Sequence, residues 1–193
     1  MFLEMAVGNS DRLTALINDV LDIEKIEAGG MPVHLAPVPL KAFLKRCLSL
    51  NQGMSMRYEV KLELAGDVPE VSLMADDERF MQVMTNLISN AIKFSPKNDT
   101  VRIAVTMADI GVRIDVLDRG PGIPEEFRNR IFGKFAQADG SDTRKKGGTG
   151  LGLAISKALI EKMKGRIGFE PNPEGRGTSF FIELPVAADA ARE

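Results

Sequence analysis

A glycine-rich stretch in this chain has the composition of an anion-binding loop. KKGGTGLGLAIS, residues 145–156, places four glycines within six positions and then continues as an apolar helical pattern. Glycine destabilises a helix by about 1 kcal/mol relative to alanine, so this composition indicates that something must approach the backbone closely. Free N–H groups and the positive end of the dipole at a helix N-terminus favour an anion such as phosphate.

The spacing of these glycines excludes two common nucleotide motifs. Gly148, Gly150 and Gly152 form G-x-G-x-G, and Leu153 stands where a dinucleotide-binding fingerprint needs its third glycine. A Walker loop needs a serine or threonine after Gly-Lys, whereas the segment GKF at residues 133–135 has phenylalanine there. A phosphate-binding loop and a flexible hinge both remain compatible with the glycines taken alone.

Two further segments carry residue types that could bind a nucleotide. DRGPGIP, residues 118–124, places the carboxylate of Asp118 at the end of a predicted strand and follows it with two turn glycines. Such a carboxylate can accept a hydrogen bond from an exocyclic amine such as that of adenine, although Asp-Gly turns without any ligand are common. GRGTSFF, residues 175–181, adds the hydroxyl of Thr178 at the start of a strand.

A long helical pattern brings two amides and a lysine to one helix face. In NLISNAIKFSP, residues 86–96, Asn86 and Asn90 are four positions apart and Lys93 follows three positions later. Buried amides cost stability unless they are satisfied, and a metal–phosphate cluster would satisfy these two. In that arrangement Asn90 binds Mg²⁺ through its side-chain oxygen and Lys93 contacts a phosphate.

Hydrophobic periodicity predicts the elements that must position these residues. An acidic first turn supports a long helix over Asp76–Ser95, and a two-residue connection makes Thr100–Ala108 and Gly111–Asp118 a hairpin. The polar stretch from Asp118 to Gly148 is typical of a lid, a binding loop or a disordered segment. The other predicted elements are a helix over Pro39–Gln52, a strand over Tyr58–Leu64, a short helix near Pro124–Phe132, a helix over Thr149–Lys164, and strands at RIGFEP (166–171) and GTSFFIELP (177–185). This order predicts an α+β fold, a two-layer α/β sandwich with a mixed sheet and helices on one face.

The chain begins with one long amphipathic pattern. Apolar residues at spacings of three and four, including Leu13, Ile17 and Val20, predict a helix over residues 1–27 that ends at the glycines of residues 28–30. The apolar stripe could pack on its own domain, or it could form half of a helical hairpin or a dimer seam. The glycine–proline break after the helix favours the second interpretation.

Composition places the chain among globular proteins and limits its partners. Its 193 residues carry a net charge of −2, which implies no bulk attraction to nucleic acid. The single cysteine, Cys47, excludes an internal disulfide and argues against a cysteine metal cluster. With no apolar run of ~18 residues and no signal-peptide pattern, we expect a cytoplasmic chain without a membrane segment, although the intact protein could still be membrane-anchored.

Five motifs in this order resemble the ATP-binding catalytic domain of sensor histidine kinases, within the wider family of gyrase, Hsp90 and MutL ATPases. NLISNAIKFSP resembles its asparagine motif, DRGPGIP the first glycine motif, IFGKFAQ the phenylalanine motif, GGTGLGLAIS the second glycine motif and GRGTSFFIELP the third. NSDRLTALINDVLDIEKIEAG resembles the second helix of the dimerisation and phosphotransfer hairpin. The resemblance implies an incomplete hairpin over residues 1–28, a Bergerat-type ATP-binding domain over 31–187 and a tail over 188–193.

The same resemblance implies ATP and Mg²⁺ as ligands. Asn90 would be the magnesium ligand, Lys93 a phosphate contact and Asp118 the acceptor of the adenine amine, with Gly120 and Gly122 shaping the adenine pocket. Thr178 would join water-bridged hydrogen bonds near the aspartate. The full set of implied ATP-binding residues is Asn86, Asn90, Lys93, Asp118, Gly120, Gly122, Ile123, Phe132, Lys134, Phe135, Gly148, Thr149, Gly150, Leu151, Gly152 and Thr178.

The polar stretch before the second glycine motif would be the ATP lid. Phe132 and Phe135 match the lid aromatics of the family and could also pin the lid by hydrophobic contact. Many relatives carry an arginine at the position of Gln137. The basic residues of the lid could approach phosphate or simply be solvated; they are Lys134, Arg144, Lys145 and Lys146.

Two positions indicate phosphoryl transfer rather than hydrolysis. Gyrase-like and Hsp90-like ATPases carry a glutamate at the position of Asn86, where it acts as general base, and an amide cannot take a proton. In histidine kinases the nucleophile is a histidine on the first hairpin helix, followed by an acidic residue. The single histidine here, His34, follows the N-terminal helix and has no acidic neighbour, so we expect a linker or packing role for it.

The resemblance therefore favours the ATP-binding catalytic domain of a two-component sensor histidine kinase, a phosphotransferase whose phosphoacceptor histidine lies outside this chain. The expected partners are the phosphoacceptor helix of the intact kinase, a response regulator or fused receiver domain, and a second copy in a homodimer. The isolated chain should not autophosphorylate. An autonomous ATPase of the same fold, which Asn86 disfavours, and a scaffold with a vestigial nucleotide site remain as alternatives.

Overall fold

The computed structural model describes residues 2–109, 111–137 and 148–187 of the chain. Its helices are α1 (Phe2–Glu27), α2 (Leu40–Tyr58), α3 (Asp77–Phe94), α4 (Glu125–Arg128) and α5 (Gly152–Lys162). Its strands are β1 (Ala36–Pro39), β2 (Lys61–Ala65), β3 (Ser72–Ala75), β4 (Thr100–Ala108), β5 (Gly111–Leu117), β6 (Arg166–Pro171) and β7 (Thr178–Leu184). Within these residues, no helix is both long enough and apolar enough to span a bilayer.

Five strands form one mixed sheet in the order β2-β4-β5-β7-β6. β2 and β4 are parallel, and the other neighbours are antiparallel. The predicted hairpin is present, because β4 and β5 pair from Arg102 with Leu117 to Ala108 with Gly111. A second, two-stranded sheet pairs β1 with β3. The mixed sheet and its helices confirm the predicted α+β fold class.

The core lies between one face of the five-stranded sheet and helices α2, α3 and α5. Phe43 of α2 and Phe80 of α3 stack with their ring centroids 4.1 Å apart, and both are fully buried. Helix α3 begins where the side chain of Asp76 accepts a hydrogen bond from the backbone N–H of Arg79, a typical N-cap. This cap fixes the start of the helix that carries Asn86, Asn90 and Lys93.

The opposite face of the sheet is covered by ion pairs rather than helices. Arg113 of β5 pairs with Asp115 and with Glu170, each at 2.9 Å, and its guanidinium lies 3.9 Å from the ring centroid of Phe181. Polar cover of this kind leaves one face of an antiparallel sheet toward solvent. The functional residues are therefore positioned by the helical layer and by the ends of the strands.

Several predicted boundaries differ from the structure. Helix α2 continues six residues past the predicted end at Gln52, so residues 58–60 do not belong to the strand, which begins at Lys61. Ser55 donates its hydroxyl to the carbonyl of Val60, and Glu59 closes the helix in the left-handed region with φ 56°. Helices α4 and α5 are shorter than predicted, and the sequence did not predict β1 and β3. The predicted tail, residues 188–193, lies outside the described residues.

Helix α1 is packed near its C-terminal end and exposes several of the apolar side chains that the structure describes. Ile23 is 9% exposed and belongs to the core of the domain, and Ile26 packs against that core. The chain after α1 is also anchored, since Met31 is buried and its carbonyl accepts a hydrogen bond from Lys162. By contrast, large apolar side chains further up the helix are exposed: Leu13, Ile17, Val20 and Leu21. The helix therefore both contacts its own domain and presents an uncovered apolar stripe.

Candidate functional site

Asp118 is a buried carboxylate at the end of β5. It is 5% exposed, and its Oδ1 accepts hydrogen bonds from the backbone N–H groups of Gly120 at 2.8 Å and Thr178 at 3.2 Å. Among the described residues, none donates a hydrogen bond to its Oδ2. Burial raises the pKa of Asp118 above its ordinary value, although the two backbone hydrogen bonds lower it. The site thus holds one carboxylate oxygen in place and leaves the other able to accept a hydrogen bond from a ligand.

Close backbone approaches around Asp118 require glycine at two positions. A Cβ on Gly120 would lie 2.9 Å from Oδ1 of Asp118 and 2.9 Å from the carbonyl oxygen of Phe94. A Cβ on Gly177 would lie only 2.0 Å from the carbonyl oxygen of Asp118. Gly122 has φ +80°, in the left-handed region, and Ile123 packs against the core. The first and third glycine motifs therefore meet at this carboxylate.

The predicted face of α3 lies against the start of α5. The side-chain amide of Asn86 donates to the hydroxyl of Ser156 at 2.9 Å, and Asn90 donates to Oδ1 of Asn86 at 3.4 Å. Gly152 lets the two helices approach, because a Cβ there would lie 2.5 Å from Oδ1 of Asn86. Lys93 lies in the last turn of the same helix. Asn86 thus bridges α3 and α5. The amide nitrogen of Asn90 is engaged, and no described residue donates a hydrogen bond to its side-chain oxygen.

The second glycine motif forms a loop whose backbone packs against the phenylalanine motif. Gly150 has φ +72°, and a Cβ there would lie 2.8 Å from the carbonyl carbon of Phe135. Leu151 is fully buried, so its side chain anchors the loop and only its backbone can face a ligand. Gly148 is exposed, and its carbonyl accepts a hydrogen bond from Gln137 at 3.0 Å. The loop is therefore anchored where it enters α5, and its first described residue, Gly148, is exposed.

Two residues that are predicted to bind the nucleotide contact α1 in this structure. The hydroxyl of Thr149 donates to Oδ2 of Asp19 at 2.7 Å, and it also accepts a hydrogen bond from the N–H of Leu151 at 3.1 Å. Lys134 forms an ion pair with Glu27. The two acidic partners lie four residues before and four residues after Ile23, the residue of α1 that is buried in the core. The sequence did not predict these contacts.

The two lid aromatics have different environments. Phe132 packs against the core, with its ring centroid 6.3 Å from that of Phe169 and the Lys157 ammonium 5.9 Å from its centroid. Phe135 is 66% exposed and adopts φ 56°. Phe132 is therefore anchored on the core, while the backbone of Phe135 packs against the glycine loop, and the role of both as lid aromatics stays a prediction. Arg144, Lys145 and Lys146 lie outside the described residues.

Thr178 and Asn172 complete the surroundings of Asp118. Thr178 is 4% exposed, and its carbonyl accepts a hydrogen bond from the N–H of Asp118 at 2.8 Å. The side chain of Asn172 donates to the carbonyl of Asp118 at 2.7 Å. Neither Asn172 nor Ser156 was among the predicted residues. Their only signal in the sequence was a polar residue type within an otherwise apolar or turn-forming segment.

The residues at this site suit a magnesium ion only in combination with phosphates. In the described part of the chain, no group of three or more His, Cys, Asp or Glu side chains could hold a metal. Mg²⁺ commonly binds through one or two protein oxygens together with substrate phosphates and water. The side-chain oxygen of Asn90 fits that role, because its amide nitrogen is already directed to Asn86.

His34 lies away from these residues. It is exposed in the segment after α1, where its backbone N–H donates to Oδ2 of Asp76 at 2.8 Å. The same carboxylate caps α3. This contact is consistent with the linker role expected for His34.

Comparison with known proteins supports the resemblance found in the motifs. Residues 75–188 match the family described as histidine kinase-, DNA gyrase B- and HSP90-like ATPase. Over 183 residues the chain is 37% identical to the signal transduction histidine-protein kinase BarA of Escherichia coli strain K12, covering 91% of this chain and 20% of BarA. The chain thus spans about a fifth of that curated relative.

Two solved histidine kinases share the fold. Full-length ShkA, solved in complex with AMPPNP, matches with a TM-score of 0.83 and 32% identity, covering 98% of this chain and 39% of ShkA. The nucleotide-free catalytic domain of the histidine kinase ThkA matches with a TM-score of 0.68 and 28% identity, covering 79% of this chain and 95% of that domain. The predicted resemblance is confirmed: the chain belongs to the family of histidine kinase-, DNA gyrase B- and HSP90-like ATPases.

Proposed function

We propose that this chain binds Mg-ATP and presents the γ-phosphoryl group to a histidine that lies outside it. The observation that carries the proposal is Asp118, a buried carboxylate with one oxygen held by two backbone N–H groups and the other, among the described residues, without a protein donor. An adenine amine would satisfy that second oxygen. A hydrogen bond from a ligand donor to such a charged acceptor contributes about 1.5–3 kcal/mol, so the free oxygen can select for an amine.

The phosphate end of the proposed site lies between α3 and the glycine loop. Backbone N–H groups of residues 148–152 and the N-terminus of α5 would receive the phosphates, and Lys93 would add a positive charge. Asn90 would hold Mg²⁺ through its side-chain oxygen. When bound, the metal would neutralise phosphate charge and favour attack on the γ-phosphorus.

The residue at position 86 supports transfer over hydrolysis. Its side chain is an amide that donates to Ser156, so it cannot act as a general base for water. The chain's own residues would therefore orient ATP and shield it, and the nucleophile would come from a partner. This arrangement argues against the autonomous ATPase, and the intact binding residues argue against a vestigial site.

We further propose that residues 31–187 form the nucleotide domain and that residues 1–28 form the second helix of a dimerisation and phosphotransfer hairpin. The exposed stripe of Leu13, Ile17 and Val20 on α1 supports this assignment, because stripes of this kind pack in helical bundles. The phosphoacceptor helix, a second copy of the protein, and a response regulator or fused receiver domain would be the partners. The proposed location is the cytoplasm.

A reconstituted transfer reaction tests the proposal. The chain is mixed with γ-labelled ATP, Mg²⁺ and a separately made helical hairpin that carries a phosphorylatable histidine from a related kinase. We expect acid-labile label on the hairpin, none on the chain, and none when the hairpin histidine is replaced by glutamine or when Asn90 is replaced by alanine. Release of free phosphate at enzymatic rates without label on the hairpin would favour the ATPase instead.

A further inference from the structure

We infer that Asn172, which belongs to none of the predicted binding motifs, is a positioning residue. It would hold the carboxylate of Asp118 where that group can contact the adenine amine. The inference rests on the proposed function, because it assigns Asn172 a role in how the site recognises adenine. It concerns a side chain in the turn between β6 and β7 that would not touch the nucleotide. Its effect would pass through the backbone of Asp118.

The ladder between β5 and β7 ends one residue before Asp118. The last paired residues are Leu117 and Ser179, and beyond them the N–H of Asp118 still donates to the carbonyl of Thr178 at 2.8 Å. The carbonyl of Asp118 is instead bound by the side-chain amide of Asn172 at 2.7 Å. A side chain thus continues the lateral hydrogen bonding at the point where the strand pairing stops.

Asn172 is well suited to hold that carbonyl in place. It is 5% exposed, and its side-chain oxygen accepts a hydrogen bond from the N–H of Glu174 at 2.8 Å. Its backbone N–H donates to the carbonyl of Gly177 at 3.1 Å, and its carbonyl accepts from the N–H of Gly175 at 3.1 Å. Both ends of the amide and both backbone groups are therefore used, which fixes the direction of the donor.

The turn and the carboxylate are also in direct steric contact. Gly177 lies so close to Asp118 that a Cβ there would be 2.0 Å from the aspartate carbonyl oxygen. The next residue, Thr178, donates its N–H to Oδ1 of the carboxylate. A shift of the turn would therefore move the whole carboxylate, and with it Oδ2, the oxygen that the adenine amine is proposed to contact. Loss of the Asn172 amide also leaves the buried carbonyl of Asp118 without this donor, which favours such a shift.

The test compares two nucleotides that differ only at the amine. ATP and purine riboside triphosphate, which lacks the 6-amino group, are titrated by calorimetry into the wild-type chain and into Asn172→Ala. We expect the variant to bind ATP about five- to tenfold more weakly, because the acceptor is displaced, and to bind the amine-free analogue nearly as well as the wild type. A role in folding alone would weaken both nucleotides equally.

Two further variants keep the test decisive. Asn172→Ser retains a short donor and should fall between the wild type and alanine, and it replaces alanine if that variant fails to fold. Arg176→Ala, at an exposed residue of the same turn, should keep the wild-type ratio of the two affinities. A wild-type ratio in every folded Asn172 variant overturns the inference alone, whereas a wild-type chain that does not bind ATP overturns the proposed function and the inference together.

Discussion

Replacing Asp118 by asparagine should reverse the preference of the pocket from an amino-purine to an oxo-purine. The two backbone N–H groups at Oδ1 need an acceptor, so the amide oxygen of the asparagine should occupy that position. The amide nitrogen then takes the place of Oδ2 and faces the pocket as a donor. It would meet the donor N–H of an adenine amine, but it could bind the C6 carbonyl of hypoxanthine.

The expected loss of ATP affinity has two sources, the hydrogen bond that is lost and the amide donor that is left without an acceptor. A hydrogen bond to a charged group contributes about 1.5–3 kcal/mol, and an unsatisfied buried donor adds a similar penalty. Because part of the adenine amine can stay hydrated, we expect a total of about 2–4 kcal/mol, or an ATP affinity about 30- to 700-fold lower. Inosine triphosphate should bind the variant more tightly than it binds the wild type.

Calorimetric titration of both proteins with both nucleotides gives the four affinities needed. Thermal unfolding provides the control for folding, and the variant should be at least as stable as the wild type near neutral pH. Equal binding of ATP and inosine triphosphate by the wild type would refute the assigned role of Asp118. So would a variant that loses both nucleotides to the same extent.

The pH dependence of stability gives an independent check on the same carboxylate. Burial raises the folded-state pKa of Asp118 above the ordinary value of 3.8, so the folded chain binds this proton more tightly than the unfolded chain. The protonated carboxyl group therefore contributes stability that is fully present below pH 3.8, and this contribution is lost as the pH rises through the raised pKa of the folded chain. The Asp118→Asn variant has no such proton. The difference between the unfolding free energies of the two proteins should therefore change between pH 3.8 and the raised pKa, and stay constant outside that range. A difference that does not vary with pH would contradict the raised pKa.

Three further predictions concern other parts of the chain. The isolated chain should not release phosphate from ATP at rates of ~1 per second or more, and steady hydrolysis abolished by Asn90→Ala would contradict the role given to Asn86. Self-association through the α1 stripe, measured by light scattering, should be lost in a Leu13→Lys, Ile17→Lys double variant without a change in ATP affinity; a monomeric wild type would rule out the seam. Burial raises the pKa of the Cys47 thiol to about 12, so iodoacetamide should alkylate it only after unfolding, and rapid alkylation of the native chain would show that the thiol is accessible.

The features predicted correctly from the sequence are those that depend on neighbouring residues. The long helix α3 follows from its acidic start and its apolar period, and the hairpin of β4 and β5 follows from alternation on either side of a short connection. Asp118 follows β5 directly and contacts a turn glycine, as its local pattern indicates, while its role in binding adenine stays a prediction. Each of these predictions needed only a few residues along the chain.

The features that the sequence did not predict depend on contacts between distant segments. Strands β1 and β3 are short, and their pairing joins residues 36–39 with residues 72–75. Helix α2 passes through Gly53 and continues to Tyr58, because packing against the sheet outweighs the cost of one glycine. Asn172 and Ser156 became visible only through their partners, Asp118 and Asn86, which are 54 and 70 positions away.

The proposed site has two halves with different physical character. The adenine half is built from backbone and side-chain hydrogen bonds among buried residues, namely Asp118, Asn172 and Thr178. The phosphate half includes partly exposed side chains that contact carboxylates of α1, as Thr149 does with Asp19 and Lys134 with Glu27. If phosphates take up Thr149 or Lys134, they must compete with these acidic groups. Nucleotide binding and the docking of α1 on the domain are then thermodynamically linked. Docking of α1 would lower the affinity for nucleotide, and bound nucleotide would weaken the docking of α1 by the same factor.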